Sequence, residues 1–223
     1  MKIGVVIFPG ANCDADALYA VERIGAEPVE LWHAEPDLKG VDAVILPGGF
    51  SYGDYLRPGA IARFSKVMRP LEEFARGGGP TLGVCNGFQV LTEARLLPGA
   101  LLQNMSLRFV CRTVPVRVEH PDTPWSGACV PGEILHLPVA HNEGNYFAAE
   151  ETIAQLEDEG RVIFRYLENP NGSRNDIAGI CNAERNVVGM MPHPERVSDP
   201  LLGSEEGLKV LRSVLEFAGA KVH

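Results

Sequence analysis

The stretch that decides the fold is Pro80-Thr81-Leu82-Gly83-Val84-Cys85-Asn86-Gly87-Phe88-Gln89-Val90-Leu91. A short apolar run, typical of a buried strand, leads into Gly-x-Cys-x-Gly and then into a pattern typical of a helix. In the nucleophile elbow of hydrolases, small residues two before and two after the nucleophile allow a sharp strand-to-helix turn that presents the reactive side chain. The stretch therefore predicts an elbow with Cys85 as nucleophile, at a helix N-terminus that favours the thiolate. The alternative is a buried structural cysteine, because free cysteine is among the most buried residue types.

The first half of the chain alternates apolar runs with helical patterns. Asn12 and Asp14 can cap a first helix, and Gly25 can end it. Gly59 to Arg76 predicts a second helix, with Phe64 among its inward residues. Alternation of this kind implies right-handed strand-helix-strand units with ligands at the carboxyl ends of the strands, so we expect a doubly wound, mostly parallel α/β sheet flanked by helices. Its first strands are predicted at Ile3 to Phe8, Pro28 to Trp32, Val41 to Leu46 and just before Cys85.

The second half of the chain is richer in strand patterns. It predicts an added β-rich segment, together with an acidic helix over Ala148 to Glu159 and a final helix over Leu208 to Ala218. A length of 223 residues fits one large domain, and we expect residues 1–223 to form it. The strands are predicted at Leu107 to Val118, Glu133 to His141 and Val162 to Leu167, followed by a hairpin of Ile177 to Cys181 and Val187 to Met191.

Composition narrows the classes of function. The 29 acidic and 20 basic residues give a net charge of −9, which argues against sequence-independent nucleic-acid binding and against a basic membrane-binding patch. The apolar run at the N-terminus is too short for a signal peptide or a membrane span. The five scattered cysteines include no C-x-x-C pair and fit neither a disulfide framework nor a zinc knuckle. We therefore expect a cytoplasmic protein whose partners are small molecules and other proteins.

A cysteine nucleophile needs a base, and the base needs a group that orients it. His193 is the best placed of the six histidines, because Glu195 follows two residues later and side chains two apart on an extended segment point the same way. A Pro-rich surface turn with both side chains in solvent is the alternative interpretation. His141 is the rival base, although Asn142 and Gly144 beside it suggest a mobile loop.

Acyl transfer also needs hydrogen-bond donors for the developing oxyanion. The backbone N–H of Asn86 supplies one at the start of the helix, and Gly49, after the neighbouring strand, is a second candidate because it has no Cβ in the way. A metal site made from Cys85, His193 and Glu195 is a poor alternative. The spacing is not that of zinc ligands and a fourth ligand is not evident, so we predict no metal site.

Three motifs together resemble the class I glutamine amidotransferases. The resemblance spans most of the chain and implies a flavodoxin-like, doubly wound glutaminase. It implies Cys85 as nucleophile, His193 as base and Glu195 as the group that orients the base. The motifs are Gly83-x-Cys85-x-Gly87-x-Gln89, Pro47-Gly48-Gly49-Phe50 and His193-Pro194-Glu195.

The same resemblance implies further contacts to the substrate. Gly49 and Asn86 would be the oxyanion donors, and Gln89 would contact the amino-acid end of L-glutamine. One subfamily is the most similar, the glutaminase subunits of phosphoribosylformylglycinamidine synthase. The motifs that resemble it are Gly48 to Ala60, Asn86 to Gln89, Asn104-x-Ser106-x-Arg108-Phe109 and His141-x-Glu143-Gly144.

The subfamily implies a glutaminase that works with partners. Ammonia would pass to a PurL-like synthetase subunit, which uses ATP and Mg²⁺ to convert formylglycinamide ribonucleotide to the amidine in purine biosynthesis. A small PurS-like third subunit is also implied, and no cofactor is expected on this chain. Three alternatives stay open: the glutaminase of another amidotransferase, a stand-alone cysteine hydrolase on a related fold, and a flavodoxin-like binding module in which Cys85 is structural.

Overall fold

A computed structural model describes residues 1–220 of the chain, and the last three residues, including His223, lie outside the described residues. None of the described helices has both the length and the hydrophobicity to cross a membrane. The α-helices are α1 (Asp14–Arg23), α2 (Met68–Arg76), α3 (Asn86–Glu93), α4 (Glu150–Asp158) and α5 (Gly207–Ala220). The strands are β1 (Lys2–Ile7), β2 (Glu27–Trp32), β3 (Ala43–Leu46), β4 (Thr81–Val84), β5 (Ala100–Leu102), β6 (Val110–Val118), β7 (Ile134–His141), β8 (Asn145–Phe147), β9 (Val162–Tyr166), β10 (Ile177–Cys181) and β11 (Val187–Met190).

Nine of these strands form one sheet, in the order β2-β1-β3-β4-β11-β10-β9-β6-β7. The strands from β2 to β11 run parallel to one another, and the strands from β11 to β7 pair antiparallel. Strands β5 and β8 form a separate antiparallel pair. The structure therefore confirms both parts of the predicted fold. The β-rich second half does not form a separate layer but extends the same sheet.

The middle of the parallel half brings the predicted site together. All side chains of β3 and β4 are buried, as expected of strands that are covered by helices on both faces. Helix α3 packs against β3, β4 and β11, and α1 packs against β1, β2 and α5. The carboxyl ends of β3, β4 and β11 lie side by side, and the segments that follow them carry Gly49, Cys85 and His193.

The predicted helix over Gly59 to Arg76 is wrong in its first half. That half contains only a short 3-10 turn at Ala62–Phe64, and α2 begins at Met68. Pro70 explains the late start, because its ring would clash with the carbonyl four residues earlier and is tolerated only in the first turn of a helix. Phe64, which was expected to point inward, is 75% exposed.

Helix α1 begins differently from the prediction. Cys13, not Asn12 or Asp14, is its N-cap residue, and no side chain makes a capping hydrogen bond. Asp14 and Asp16 lie in the first turn, where carboxylates complement the helix dipole. The sulfur of Cys13 is therefore free of any capping role.

Candidate active site

Cys85 lies in a strained turn between β4 and α3. Its φ is 50° and its ψ is −103°, a conformation that costs a non-glycine residue on the order of 1–3 kcal/mol and persists only where the surroundings hold it. Two glycines allow the close packing that does so. A Cβ on Gly87 would lie 2.0 Å from the carbonyl oxygen of Leu46, and one on Gly83 would lie 2.7 Å from the backbone of Gly87. The structure confirms the predicted elbow geometry, with Cys85 at the N-terminus of α3.

His193 and Glu195 form a buried pair after β11. His193 Nδ1 and Glu195 Oε1 are 2.6 Å apart, and the two residues are 1% and 2% exposed. The backbone N–H of His193 donates to Pro138 O at 2.8 Å, which anchors the turn to β7. Burial rules out the alternative of a solvated surface turn. Nε2 of His193 has no hydrogen-bond partner among the described residues, so this nitrogen is available for proton transfer.

The charge of His193 is set by its neighbours. Burial by itself would lower the pKa of His193, but the negative charges of Glu195 and Cys85, with a contribution from Cys13, raise it well above 6.5. Cys85 is thus one of the groups that act on the imidazole. At neutral pH the site therefore holds an imidazolium, the charge state that favours a thiolate at Cys85, the predicted nucleophile.

Two adjoining cavities lie beside His193 and Cys85. A cavity of about 200 Å³ is lined by His193, Cys13, Arg196 and Cys111 among others, and a cavity of about 10 Å³ lies beside Cys85. They share Gly49, Phe50 and Ala140 as walls. The smaller one has room for about one water molecule. The space beside Cys85 is therefore too small in this structure for an amino-acid substrate.

The structure brings both predicted oxyanion donors to the elbow. Gly49 lines both cavities and has a φ of +135°. Gly49 pairs with Ala11 in an isolated antiparallel β-bridge. The hydrogen bond of this bridge runs from the Phe50 N–H to the Gly10 carbonyl oxygen, so the N–H of Gly49 takes no part in it. Asn86 is the first residue of α3, so its N–H has no intrahelical acceptor. Their role in binding an oxyanion stays a prediction.

Gln89 contacts the protein at both ends of its amide. Its Nε2 donates to Glu143 O at 2.6 Å, and its Oε1 accepts from Asn86 Nδ2 at 2.9 Å. Asn86 Oδ1 in turn accepts from the backbone N–H of Ser51 at 3.2 Å. Gln89 also lines the small cavity with Cys85. These contacts tie α3 to the segments after β3 and after β7, so Gln89 is placed to hold both walls of the cavity as well as to meet substrate.

Asp54 is a site residue that the sequence interpretation missed. It lines the small cavity with Cys85 and Glu143, and its Oδ1 is buried without a hydrogen-bond partner among the described residues. Burial, with the negative charge of Glu143 second, raises the pKa of Asp54 to about 6. Its position in the polar loop after β3, at a carboxyl end of the sheet, was the signal that could have identified it.

The rival base His141 lies in a different environment. It is 3% exposed, its Nδ1 lies 3.0 Å from Asn104 Oδ1, and its Nε2 lies 3.4 Å from Asn171 Nδ2. Burial, with His193 as a second cause, lowers the pKa of His141 to about 4. The expected mobile loop is instead held in place, since Asn104 Oδ1 accepts from the N–H of Gly144 and Asn171 Nδ2 donates to its carbonyl. His141 is a neutral ring whose nitrogens are both engaged.

Three side chains, one of them different from the set Cys85, His193 and Glu195, lie close enough together to be tested as metal ligands. Cys13 Sγ, a ring nitrogen of His193 and a carboxylate oxygen of Glu195 lie within 4.8 Å of one another. However, the guanidinium of Arg196 donates to Cys13 Sγ at 3.1 Å, and the raised pKa of His193 keeps its ring protonated. Two cationic groups oppose a third cation, so this set is better explained as a hydrogen-bonded cluster.

Comparisons with known proteins identify the family and the fold. The CobB/CobQ-like glutamine amidotransferase domain matches residues 1–207. The phosphoribosylformylglycinamidine synthase subunit PurQ of Rubrobacter xylanophilus is 78% identical over 222 residues, which cover 100% of each chain. The subunit of the same name from a Nostoc species is 56% identical over 97% of each chain. A chain in the structure of PurLQS from Thermotoga maritima has a TM-score of 0.91 and 43% identity, covering 97% of this chain and 98% of its own. Another protein of that organism, a glutamine amidotransferase with 17% identity over 97% of each chain and a TM-score of 0.62, shows the fold alone.

Proposed function

The chain belongs to the CobB/CobQ-like glutamine amidotransferase family, and we propose that it is the glutaminase subunit of a phosphoribosylformylglycinamidine synthase. The observation that carries the proposal is the buried His193–Glu195 pair beside the strained elbow at Cys85. A cysteine with an imidazole that a carboxylate orients is the arrangement of nucleophilic acyl transfer. Identity over the full length to chains named PurQ supports purine biosynthesis as the pathway.

In the first half of the reaction, the Cys85 thiolate attacks the side-chain amide carbon of L-glutamine. The backbone N–H groups of Gly49 and Asn86 receive the oxyanion, and losing one such donor typically costs about 3 kcal/mol of barrier. The tetrahedral intermediate collapses when the C–N bond breaks. The imidazolium of His193 gives its Nε2 proton to the departing nitrogen, and ammonia leaves a glutamyl thioester on Cys85.

In the second half, water replaces ammonia. Neutral His193 takes a proton from a water molecule, whose oxygen attacks the thioester carbon. Collapse of this second intermediate breaks the C–S bond and releases glutamate, which restores the thiolate and the imidazolium. Glu195 stabilises the imidazolium and holds the ring so that Nε2 stays free. The sum is glutamine and water to glutamate and ammonia.

The ammonia is the useful product. We infer that a PurL-like synthetase subunit uses it, with ATP and Mg²⁺, to convert formylglycinamide ribonucleotide to the amidine, and that a small PurS-like subunit completes the complex. The thioester chemistry uses only side chains and backbone N–H groups of this chain together with water, so we propose that this chain needs no cofactor of its own. The acidic composition and scattered cysteines support a cytoplasmic enzyme without nucleic-acid or membrane partners.

Access to Cys85 supports a dependence on assembly. The cavity of about 10 Å³ beside the nucleophile is too small for glutamine, and its walls include Phe50 and Asp54 in the loop after β3. We propose that docking of the synthetase moves this loop and opens the site. The isolated chain would then hydrolyse glutamine slowly.

The test is glutamate release from glutamine by the purified chain, alone and then with the synthetase and third subunits, formylglycinamide ribonucleotide, ATP and Mg²⁺. We expect assembly to raise hydrolysis at least tenfold, with one amidine formed per glutamate. Cys85→Ser should abolish glutamine-dependent turnover, whereas amidine formation from added ammonium salts should persist in the complex.

Each other outcome has a distinct meaning. Hydrolysis that assembly does not stimulate would assign the chain to another synthetase. Retained hydrolysis in Cys85→Ser would remove the nucleophile assignment, and no hydrolysis in either state would favour the binding module.

A further inference from the structure

A second buried cysteine lies close to the proposed base. Cys13 is 1% exposed and lies at the N-terminus of α1, where its side chain makes no capping hydrogen bond. Its sulfur lines the 200 Å³ cavity together with His193 and lies within 4.8 Å of a ring nitrogen of that histidine and of a Glu195 carboxylate oxygen. The mechanism proposed above gives this sulfur no role.

Arg196 holds the sulfur in place. Its Nη2 donates to Cys13 Sγ at 3.1 Å, and its Nε lies 3.6 Å from a carboxylate oxygen of Asp16, one turn along α1. Arg196 belongs to the same 3-10 turn, Pro194–Arg196, as Glu195. The first turn of α1 is therefore linked directly to the segment that orients the base.

The space between α1 and His193 is filled tightly. Gly48 lies at this contact, and a Cβ there would come within 2.6 Å of His193 Cε1 and 3.2 Å of Cys13 Sγ. No ordinary side-chain carbon tolerates the first distance, so a residue with a Cβ at this position would displace the imidazole or the sulfur. The ring of His193 thus has close neighbours on the α1 side as well as on the Glu195 side.

We propose that Cys13 is a positioning residue that holds the imidazole of His193 in the orientation needed for glutamine hydrolysis. The inference rests on the proposed function, but the effect of the sulfur on the position and charge of the His193 ring can be tested without substrate. Cys13 does not touch the reacting atoms. It acts through His193.

The charges around His193 make the effect measurable. The pKa of His193 is raised mainly by Glu195 against the effect of burial, and Cys13 is a further contributor beside Cys85. The other titratable or charged groups that face the ring are the neutral His141 on β7, Asp16 on α1 and Arg196. Removing the sulfur should therefore lower the pKa of His193 and move the alkaline limit of activity to lower pH.

The test compares Cys13→Ala and Cys13→Ser with the wild-type chain in the assembled complex. We expect Cys13→Ala to lower kcat about tenfold and to move the alkaline limb of the pH profile down by about one unit. KM for glutamine should stay within about twofold, because Cys13 does not line the cavity beside Cys85. The kcat and the alkaline limb of Cys13→Ser should lie between those of wild type and Cys13→Ala, since a hydroxyl can still accept a hydrogen bond from Arg196.

Cys111→Ser is the matched control. Cys111 lines the same cavity, but it is exposed on β6 and has no hydrogen bond or ion pair with His193 among the described residues. Its pH profile should coincide with that of the wild-type chain. Equal losses in both cysteine variants, or a Cys13→Ala profile that coincides with wild type after normalisation to folded protein, would overturn the inference.

A second measurement needs neither partner nor glutamine. NMR of ring-labelled histidine follows the titration of His193 in the free chain, with His193→Gln used for assignment. The midpoint should fall by about one pH unit in Cys13→Ala, by less in Cys13→Ser and not at all in Cys111→Ser. An unchanged midpoint contradicts the role of Cys13. A shifted midpoint in a chain that supports no amidine formation would keep this inference and remove the proposed function instead.

Discussion

His193 and His141 are buried to the same degree at one edge of the sheet, yet they differ in charge. His193 has a carboxylate oxygen 2.6 Å from its Nδ1 and a pKa well above 6.5, whereas His141 has two asparagine amides around its ring and a pKa of about 4. Burial lowers the pKa of both rings. The sign of the net shift is decided by whether an anion or a neutral amide is the neighbour.

The difference supports the proposal that His193 is the catalytic base and His141 a structural residue. His193 keeps Nε2 free of partners among the described residues and can exchange a proton with substrate, whereas both nitrogens of His141 are engaged. His141 and its asparagines instead fix the backbone of Gly144, next to the Glu143 carbonyl that Gln89 contacts. In the proposed mechanism the His193 region supplies proton transfer, whereas the His141 region holds a cavity wall.

The two histidines also give stability opposite dependences on pH. A histidine with a raised pKa stabilises the folded state below the unfolded value of about 6.5, and this contribution is lost as pH rises through the folded value. A histidine with a lowered pKa does the reverse. The contribution of His141 is present above about 6.5 and is lost as pH falls from there to about 4, where the folded state also takes up the proton.

The largest expected effect tests which ring is the base. His193→Ala should lower kcat/KM for glutamine by about 10⁴-fold or more, because the proton donor and acceptor is removed. His141→Ala should lower it by only about tenfold, through the displaced cavity wall. Steady-state glutamate release by the assembled complex measures both, and comparable losses would erase the distinction between the two regions.

Glu195→Gln should give His193 a lowered pKa, as His141 has. Without the carboxylate, burial dominates and the pKa of His193 should fall below 6.5, so the imidazolium is lost at neutral pH. We expect a loss of roughly 10²–10⁴ in kcat with little change in KM, by analogy with the loss of the orienting carboxylate in a serine protease. Histidine NMR alongside the kinetics checks the cause. A full loss of activity with an unshifted His193 would point to misfolding of the turn.

The third effect concerns stability more than activity. His141→Asn keeps a donor toward Asn104 but no group that titrates near neutrality. At pH 7 we expect its free energy of unfolding to be about 3 kcal/mol lower than that of wild type, because the smaller side chain leaves a cavity and Asn171 loses a hydrogen-bond acceptor. This difference should shrink as pH falls from 6.5 to 4, where wild type loses its own contribution. Urea unfolding at several pH values measures it, and a difference that grows with acidification would contradict the pKa of His141.

The smallest effect concerns Asp54, a half-buried carboxylate with no cation beside it among the described residues. We expect it to attract the α-ammonium group of glutamine, so Asp54→Asn should raise KM about tenfold with kcat nearly unchanged. In wild type, KM should rise as pH falls below about 6, the pKa to which burial raises Asp54. Tyr55→Phe, a change in an exposed neighbour, is the control. A KM that is flat across that range would remove Asp54 from substrate recognition.

Asp54→Asn should also change the thermal stability of the chain. An acid whose folded pKa lies above its unfolded value destabilises the fold once both states are charged, so the variant should melt at a higher temperature than wild type at pH 8 but not at pH 4. Stabilisation at the cost of substrate affinity is expected of a group kept for function.

Local patterns predicted the elbow and the base. Gly-x-Cys-x-Gly between a strand and a helix specifies the turn at Cys85 through steric exclusion within a few residues, and His193-Pro194-Glu195 places two side chains on one face of an extended segment. The strand-helix alternation predicted the parallel sheet in the same way, because each strand and helix is recognised from a pattern of a few neighbouring residues. The helix boundary at Met68 was missed, although Pro70 was the local signal for it.

The sequence by itself therefore determined the fold class and singled out Cys85, His193 and Glu195 as candidate nucleophile, base and orienting carboxylate, because each depends on spacing over a few residues. Only the tertiary structure decided the charges of His193 and His141, the small size of the cavity at Cys85, and the contact of Cys13 with Arg196, which joins residues 183 positions apart. Electrostatic energies depend on distance and burial in three dimensions, and neither quantity can be obtained from the order of residues along the chain.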